Sequence, residues 1–241
     1  MPDALLDIAG LHAGYDATTV VHGVDLRVNP GEFSVLIGPN GHGKTTILRA
    51  VSGLITPASG KISLAGQDIT RLRTEHIAAR GLVHIPQGDL LFPDMTVLEN
   101  LTLGAFLRKG GRAERVQHLD RVYDIFPRLA ERSSQRARTL SGGERRMLAI
   151  GRGLMADARM LMIDEPSLGL APVLVDEVYR QIAAIHRSGM TILLVEENFS
   201  RVRGLADRLT LVENGAVRAT GTVKEVLSDP AVAATYLGVD S

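Results

Sequence analysis

The strongest constraint on the fold is the stretch at residues 38–45, which fits the pattern G-x-x-x-x-G-K-[ST]. An apolar run at residues 33–37, typical of a buried strand, comes before it, and the helix-forming residues 46–50 follow. Between a strand and a helix, such glycines let several backbone N–H groups point at one anion, and the helix start adds positive potential. The stretch therefore predicts a phosphate-binding loop, because a glycine-rich turn that matched by chance would lack both flanking elements.

Each position of this loop is a candidate contact for a nucleotide. Lys44 supplies a full positive charge, and Thr45 supplies a hydroxyl for the Mg²⁺ ion that accompanies the nucleotide. The candidate nucleotide-binding residues here are Gly38, Pro39, Asn40, Gly41, His42, Gly43, Lys44, Thr45 and Thr46.

Composition excludes several other classes of function. Lys plus Arg and Asp plus Glu number 27 each, so no overall field draws the chain to nucleic acid or to an anionic membrane. The absence of cysteine excludes disulfides, thiolate metal sites and cysteine nucleophiles. No apolar run approaches the roughly 18 to 20 residues that a spanning helix needs. We therefore expect a soluble chain whose membrane role, if it has one, comes through a partner.

A basic stretch at residues 128–138 is the one segment that invites a nucleic-acid interpretation. Acids and serines interrupt it, and no aromatic residue interleaves with the arginines to stack on bases. A solvated helical face explains the stretch better, so we expect no nucleic-acid partner.

The order of predicted elements indicates the fold class. Short apolar strands alternate with helical segments, which is typical of an α/β fold with a largely parallel sheet. The strands expected near the N-terminus are separated by short turns and should pair antiparallel; they are residues 5–8, 24–28 and 61–64. The later strands are expected at residues 81–85, 160–163 and 191–195, and a helix at 172–186. Asn214 and Gly215 suit the primed turn of a hairpin formed by residues 208–219.

Residues 95–150 predict a helical subdomain inserted in a single domain that spans residues 1–241. Thr96 is placed to cap the helix that starts after it. A second helix is indicated by apolar residues at helical spacing, namely Val116, Leu119, Val122, Tyr123 and Phe126.

Two adjacent carboxylates, Asp164 and Glu165, end the apolar strand predicted at residues 160–163. Such a strand can lie beside the one that leads into the phosphate loop. Asp164 would then serve the Mg²⁺ shell, and Glu165 would act on the water that attacks the γ-phosphate. Taken alone, the same pair fits an ordinary strand-end turn with solvated acids.

The segment Leu140-Ser141-Gly142-Gly143-Glu144 lies between the phosphate loop and the acidic strand. With those two elements it resembles the signature of the ATP-binding cassette (ABC) ATPases, and the resemblance covers nearly the whole chain. It implies a P-loop ABC ATPase core with an antiparallel β subdomain and an inserted helical subdomain, with ATP and Mg²⁺ as ligands. It also implies that Ser141, Gly142 and Gly143 close on the γ-phosphate held by a second cassette, either another copy of this chain or a related one.

The resemblance assigns two further residues. Gln87, after the strand at residues 81–85, matches the glutamine that contacts Mg²⁺ and the attacking water and takes part in catalysis with Lys44 and Glu165. Tyr15 matches the aromatic residue that stacks on adenine. The alternatives are an ordinary loop residue for Gln87 and a partly buried surface tyrosine for Tyr15.

Four short stretches resemble one branch of the family, the ATP-binding subunits of branched-chain amino acid importers of the LivF type. They are residues 99–105, 147–151, 165–172 and 236–238, the third with Ala171 where many cassettes have aspartate. Relatives that serve urea or short amides look alike. This branch implies two transmembrane permease subunits, a second related cassette, an external solute-binding protein, and a peripheral position on the cytoplasmic face of the cell membrane.

Three residues depart from the family pattern, and for one of them, Glu144 where many cassettes have glutamine, we expect no loss of function. Glu197 occupies the position where most cassettes have a histidine that contacts the γ-phosphate, and a carboxylate there repels phosphate. We expect Glu197 to turn away, to stay protonated or to pair with a base. His42 replaces a small residue, and its ring either points to solvent or places a pH-dependent charge near the phosphates.

Residues 89–93 are the candidate docking surface for a transmembrane partner, or they pack the helical subdomain onto the core. Two other classes of function stay open at this point. One is a cassette that works on ribosomes or nucleic acid, which usually carries two cassettes in one chain. The other is a non-catalytic nucleotide sensor; Lys44, Asp164 and Glu165 argue against it, and Glu197 argues for it.

Overall fold

The computed structural model describes residues 4–107, 111–229 and 232. In this part of the chain there are ten β-strands and eight α-helices. The strands are β1 (Leu6–Tyr15), β2 (Thr18–Val28), β3 (Phe33–Ile37), β4 (Ser59–Leu64), β5 (Gln67–Asp68), β6 (Leu82–Ile85), β7 (Met160–Asp164), β8 (Thr191–Glu196), β9 (Arg208–Glu213) and β10 (Ala216–Thr222). The helices are α1 (Lys44–Val51), α2 (Thr74–Ala78), α3 (Val97–Gly104), α4 (Arg112–Ile125), α5 (Pro127–Glu131), α6 (Gly142–Leu154), α7 (Pro172–Arg187) and α8 (Val223–Leu227). The family-like residues 236–238 lie outside the described residues.

The chain divides into two compact units, one formed by Met1–Ile77 with Thr191–Ser241 and the other by Ala78–Met190. The first unit contains an antiparallel sheet in the order β2-β1-β4-β5. In β1, buried side chains alternate with partly exposed ones near each end of the strand, as expected for a sheet with one covered face. The antiparallel strands predicted at residues 5–8, 24–28 and 61–64 are confirmed.

A second sheet of the first unit carries the loop predicted to bind phosphate. Its strands follow the order β10-β9-β3-β8, and β3 pairs in parallel with both β8 and β9. All five residues of β3 are buried, which explains why its sequence is a continuous apolar run rather than an alternating one. Asn214 and Gly215 join β9 to β10 with φ of 48° and 76°, so the predicted primed hairpin turn is confirmed.

The second unit combines the parallel pair β6 and β7 with helices α3 to α7. Thr96 caps α3 as predicted, because its side chain accepts from the Glu99 N–H while the Glu99 side chain accepts from the Thr96 N–H. The apolar face predicted for α4 is only partly correct. Val122 is buried, and Phe126 just after the helix is buried too, but Val116 is 48% exposed. Helix α4 is mostly polar and buries one residue near its C-terminal end, so helical spacing alone overstated its packed face.

A buried side-chain amide organises the segment before α3. Asn100 has no exposed surface; its Oδ1 accepts from the Phe92 N–H, and its Nδ2 donates to the backbone oxygens of Phe92 and Thr96. A buried amide is tolerated only when its donors and acceptor are used, as they are here. The Asn100 side chain therefore provides the Phe92 backbone with hydrogen bonds that a helix or a sheet would otherwise provide.

Among the helices described, none combines the length and the apolar character that crossing a lipid bilayer requires.

We predict that Asn100→Ala lowers the free energy of unfolding by about 2 to 3 kcal/mol, because the Phe92 N–H loses its acceptor and the backbone oxygens of Phe92 and Thr96 each lose a donor. Urea unfolding followed by circular dichroism measures the change. Gln117→Ala is the matched control, since it removes an exposed amide from α4 and should cost less than about 0.5 kcal/mol. Equal losses in the two variants would contradict the structural role of Asn100.

Candidate functional site

The glycine-rich loop lies between the end of β3 and the start of α1, as the sequence predicts. Gly38 has φ of 149°, and a Cβ placed there would lie 2.1 Å from the backbone oxygen of Val212, so only glycine fits. Helix α1 begins at Lys44 after Gly43, which offers no capping side chain, and its first turn holds no acidic residue. The N–H groups at this helix start suit an external anion.

Lys44 is folded back over the loop. Its Nζ donates to the backbone oxygens of Gly38 at 2.7 Å and Pro39 at 3.0 Å, and only 4% of the residue is exposed. Thr46 is buried beside it, and Thr45 is half-buried. The loop thus holds a cationic group against its own backbone, which is the electrostatic arrangement that a phosphate-binding loop needs.

Glu197 contacts this loop. Its Oε2 accepts a hydrogen bond from Asn40 Nδ2 at 3.0 Å. The donor in this hydrogen bond is a neutral amide, so the expected pairing with a base is wrong. The alternatives that Glu197 turns away from the phosphate or stays protonated stay predictions. Sequence reasoning missed the contact because it joins two residues that are 157 positions apart.

His42 contacts the hairpin turn between β9 and β10. Its Nδ1 accepts from the Asn214 N–H at 3.0 Å, and its backbone oxygen accepts from the Gly215 N–H at 3.1 Å. The alternative in which the ring simply points to solvent is therefore wrong. Asn40 and His42 together fix the outer part of the loop to two different turns.

Tyr15, the predicted adenine-stacking residue, lies at the end of β1 beside α1. Its hydroxyl accepts from Arg49 Nη1 at 3.0 Å, and the Arg49 guanidinium carbon lies 5.8 Å from the ring centroid. Thr46 Oγ1 lies 3.5 Å from the same hydroxyl. The ring is 38% exposed, so part of it is accessible for a further planar group.

The acidic pair lies at the end of β7 in the second unit. Asp164 is buried, and Glu165 is 8% exposed with φ of 44°, a left-handed conformation that costs a non-glycine residue roughly 1 to 2 kcal/mol. Gln87 Nε2 donates to Glu165 Oε2 at 3.0 Å. The structure therefore brings together Gln87 and Glu165, two of the residues predicted to be catalytic, and a strained backbone presents the carboxylate.

The predicted signature segment forms the start of α6. Ser141 is the N-cap; its side chain accepts from the Glu144 N–H, and the Glu144 side chain accepts from the Ser141 N–H at 2.8 Å. Arg132 Nε lies 2.8 Å from Glu144 Oε1. Ser141 is therefore joined to Glu144 by a capping box, in which Ser141 is exposed and Glu144 is buried.

An ion-pair cluster that the sequence did not reveal supports the segment after Gln87. Gly88, Asp89 and Leu90 have φ of 86°, 62° and 42°, three left-handed residues in succession. Asp89 Oδ1 lies 3.1 Å from Nε of Arg146, which is 3% exposed, and Asp89 Oδ2 lies 3.7 Å from Arg145 Nε. Because such a backbone is strained, contacts with α6 are needed to hold it.

The candidate docking residues next to this cluster are exposed. Leu90 and Phe92 are 64% and 51% exposed, which disfavours a role in internal packing. Arg152 of α6 donates from Nη2 to the Leu90 oxygen at 2.9 Å and lies 5.8 Å from the Phe92 ring centroid. The apolar surface formed by Leu90 and Phe92 is therefore presented outward on a backbone that α6 supports.

We predict that Asp89→Ala lowers the free energy of unfolding by about 2 to 3 kcal/mol, because the buried Arg146 guanidinium loses its counter-charge. This loss is smaller than the loss for a fully buried ion pair, because Asp89 is partly exposed. Asp94→Ala is the matched control, because its pair with Arg138 is exposed on both sides and should contribute less than about 1 kcal/mol. Denaturant unfolding of both variants checks this, and a larger loss for Asp94→Ala would refute it.

The charge of Glu144 should make the stability of this protein depend on pH. Burial raises the pKa of Glu144, but hydrogen bonds from Ser141 and the charges of Arg132 and Arg128 lower it more, so the pKa lies below the ordinary value of 4.5. Stability from a lowered carboxyl pKa is fully present above the unfolded-state pKa and is lost as pH falls through the folded-state pKa. Glu144→Gln should therefore be less stable than wild type at pH 7, and the difference should shrink below about pH 4.5.

Unfolding in urea at a series of pH values from 7 to the acid limit of folding measures this difference. Glu114→Gln, in the first turn of α4, controls for the general loss of one exposed negative charge. A stability difference that stays constant as the pH falls would show that the Glu144 charge is not responsible.

Comparison with known proteins identifies the family. Residues 21–168 match the ABC transporter family. The chain is 40% identical to the high-affinity branched-chain amino acid transport ATP-binding protein BraG of Pseudomonas aeruginosa, over 93% of this chain and 95% of that protein. It is 35% identical to a probable branched-chain amino acid transport ATP-binding protein, LivF, of Archaeoglobus fulgidus, over 92% of this chain and 94% of that protein.

Solved structures agree with the sequence match. The ADP conformation of an ATP-binding cassette of an ABC transporter superposes with a TM-score of 0.85 at 28% identity, covering 98% of this chain and 99% of that one. The predicted α/β fold of the P-loop ABC ATPases is confirmed. From its family match, its near-complete alignment with these relatives and its fold, this chain belongs to the ABC transporter family as a nucleotide-binding ATPase subunit.

Proposed function

We propose that this chain hydrolyses ATP to drive the import of branched-chain amino acids, or of a related small polar solute such as urea or an amide, through separate permease subunits. The observation that carries the proposal is the 40% identity to BraG, a branched-chain amino acid transport ATP-binding protein, over 93% of the chain. The likeness to LivF over a similar span supports the same solute class.

In this proposal the phosphates of ATP bind residues 38–46, with Lys44 as the cationic contact, and adenine stacks on the exposed part of Tyr15. The N–H groups at the start of α1 and the buried Lys44 ammonium support this assignment because both favour bound negative charge. The contact between Arg49 and Tyr15 fixes the ring, so its orientation is set before a base stacks on it.

Mg²⁺ is proposed to bind with the hydroxyl of Thr45, the side-chain oxygen of Gln87 and the carboxylate of Asp164. These are hard oxygen donors of the kind that Mg²⁺ prefers, and the ion would neutralise charge that develops on the phosphates. Gln87 donates its amide hydrogen to Glu165, and this leaves its oxygen, the chemically suitable atom, for a cation.

Glu165 is proposed to orient the attacking water and to accept its proton. Its carboxylate is nearly buried, its backbone is strained, and Gln87 restrains one of its oxygens. Such restraint matters because phosphoryl transfer depends mainly on positioning and charge stabilisation. Gln87 would thereby influence both the proposed metal ligand set and the proposed base.

The proposed assembly contains two cassettes, this chain paired with itself or with a related subunit, arranged head to tail. Ser141, Gly142 and Gly143 would then close on the γ-phosphate bound to the opposite subunit. The exposure of Ser141 supports this, because its hydroxyl oxygen accepts from the Glu144 N–H while its hydroxyl hydrogen can donate to a phosphate oxygen. A single nucleotide-binding domain over residues 1–241, with a helical subdomain over 95–150, stays a prediction.

Two permease subunits are the proposed partners of the surface formed by Leu90 and Phe92, and an external solute-binding protein would deliver the solute. This assembly would hold the chain at the cytoplasmic face of the cell membrane. Exposure of two large apolar side chains on a backbone fixed by Arg152 supports a docking role.

We predict that Lys44→Ala reduces the ATP turnover and solute uptake of the reconstituted transporter by roughly 10² to 10³-fold, because a charge-stabilising donor is lost. The complex is co-purified from membranes through a tag on this chain, and uptake of labelled leucine and urea is measured in proteoliposomes. Lys61→Ala, which changes an exposed lysine of β4, should leave both rates unchanged. Recovery with ribosomes or DNA instead of permease subunits would refute the proposal.

A further inference from the structure

Glu197 is held in place by a rigid turn at the end of β8. The preceding residue, Glu196, is buried, and its Oε1 accepts from the N–H groups of Glu197 and Asn198, each at 3.1 Å. The same oxygen accepts from Arg201 Nη1 at 3.1 Å. Three donors on one carboxylate oxygen fix the backbone of this turn. The fixed backbone of Glu197 restricts the directions that its side chain can take.

The far end of the Glu197 side chain is fixed as well. Its Oε2 accepts from Asn40 Nδ2 at 3.0 Å, and Asn40 is the third residue of the loop at residues 38–45. Asn40 follows Pro39, whose backbone oxygen accepts from Lys44 Nζ. A carboxylate is therefore tethered to the same short loop whose N–H groups and lysine favour an anion.

The Glu197 carboxylate and a phosphate bound to the same loop would repel each other. A carboxylate about 6 to 8 Å from a bound phosphate, at an effective dielectric between those of protein and water, weakens the binding of one negative charge about five- to tenfold. The effect is larger for a ligand with more charge, and it is screened by salt over a Debye length of about 8 Å at physiological ionic strength.

We propose that Glu197 is a specificity-determining residue of the phosphate loop: tethered by Asn40, its carboxylate weakens nucleotide binding and does so more for ATP than for ADP. The inference rests on the proposed assignment of residues 38–46 as the ATP site. Glu197 acts by its charge, and Asn40 acts as the positioning residue that keeps this charge on the loop.

Charge and tether can be separated by substitution. Glu197→Gln removes the charge and keeps an oxygen that accepts from Asn40 Nδ2. Asn40→Ala removes the tether and keeps the charge, which can then move toward solvent. If the tether matters, the gain in affinity from Glu197→Gln is smaller in the Asn40→Ala background, because coupled residues give non-additive effects.

The experiment is isothermal titration of the full chain with MgATP and with MgADP, at low and at high salt. We expect Glu197→Gln to bind MgATP about five- to tenfold more tightly than wild type at low salt, and to show a smaller gain for MgADP and at high salt. Glu75→Gln, which removes an exposed carboxylate from α2, is the charge-matched control and should bind like wild type.

Two results would overturn the inference. One is an affinity of Glu197→Gln equal to that of Glu75→Gln. The other is an equal gain from Glu197→Gln with and without Asn40. Lys44→Ala, titrated in parallel, distinguishes these failures from a failure of the proposed site: if Lys44→Ala binds MgATP as tightly as wild type, the loop is not the ATP site at all.

Discussion

The fold and the proposed chemistry both depend on the point where β3 ends. A strand buried on all five residues delivers the chain into a turn that passes within van der Waals distance of the Val212 backbone, and α1 begins immediately after it. The turn has no room for a side chain at Gly38, and the first N–H groups of the helix receive no internal cap. Packing in the core thus places the start of a helix without a side-chain cap at this turn, and Lys44 adds a full positive charge to the positive end of the helix dipole.

In the second unit, strain has a comparable role. Glu165, Asp89 and Leu90 adopt left-handed conformations, and each is held by a contact with a charged or amide side chain. Asp89 is held by the buried Arg146 of α6, and Glu165 is held by Gln87. Helix α6 therefore has two roles: Arg146 supports the backbone that follows Gln87, and the helix begins at the Ser141 cap.

Local signals were predicted well from the sequence. The helix cap at Thr96 and the primed turn at Asn214 each depend on residues within four positions of one another, so short patterns contain all the required information. The phosphate loop was equally clear because its strand and helix adjoin it. Helical spacing failed at Val116, since an apolar residue on a helix is buried only where another element covers it.

Contacts between distant positions could not be derived in this way. The sequence showed that Glu197 was unusual but did not indicate its hydrogen-bond partner, Asn40, which lies 157 positions away along the chain. The Asp89 and Arg146 pair gave no signal, because neither residue type is exceptional in a polar segment. Both cases concern which side chains meet in space, and no spacing rule for helices or strands specifies that.

The two anchors of the phosphate loop have a thermodynamic consequence. Asn40 is attached to the turn after β8, and His42 is attached by two hydrogen bonds to the turn between β9 and β10. A glycine-rich segment is normally the part of a protein with the most conformational entropy to lose. Here that entropy has already been given up during folding, so ligand capture is preorganised and little affinity is lost to ordering the backbone.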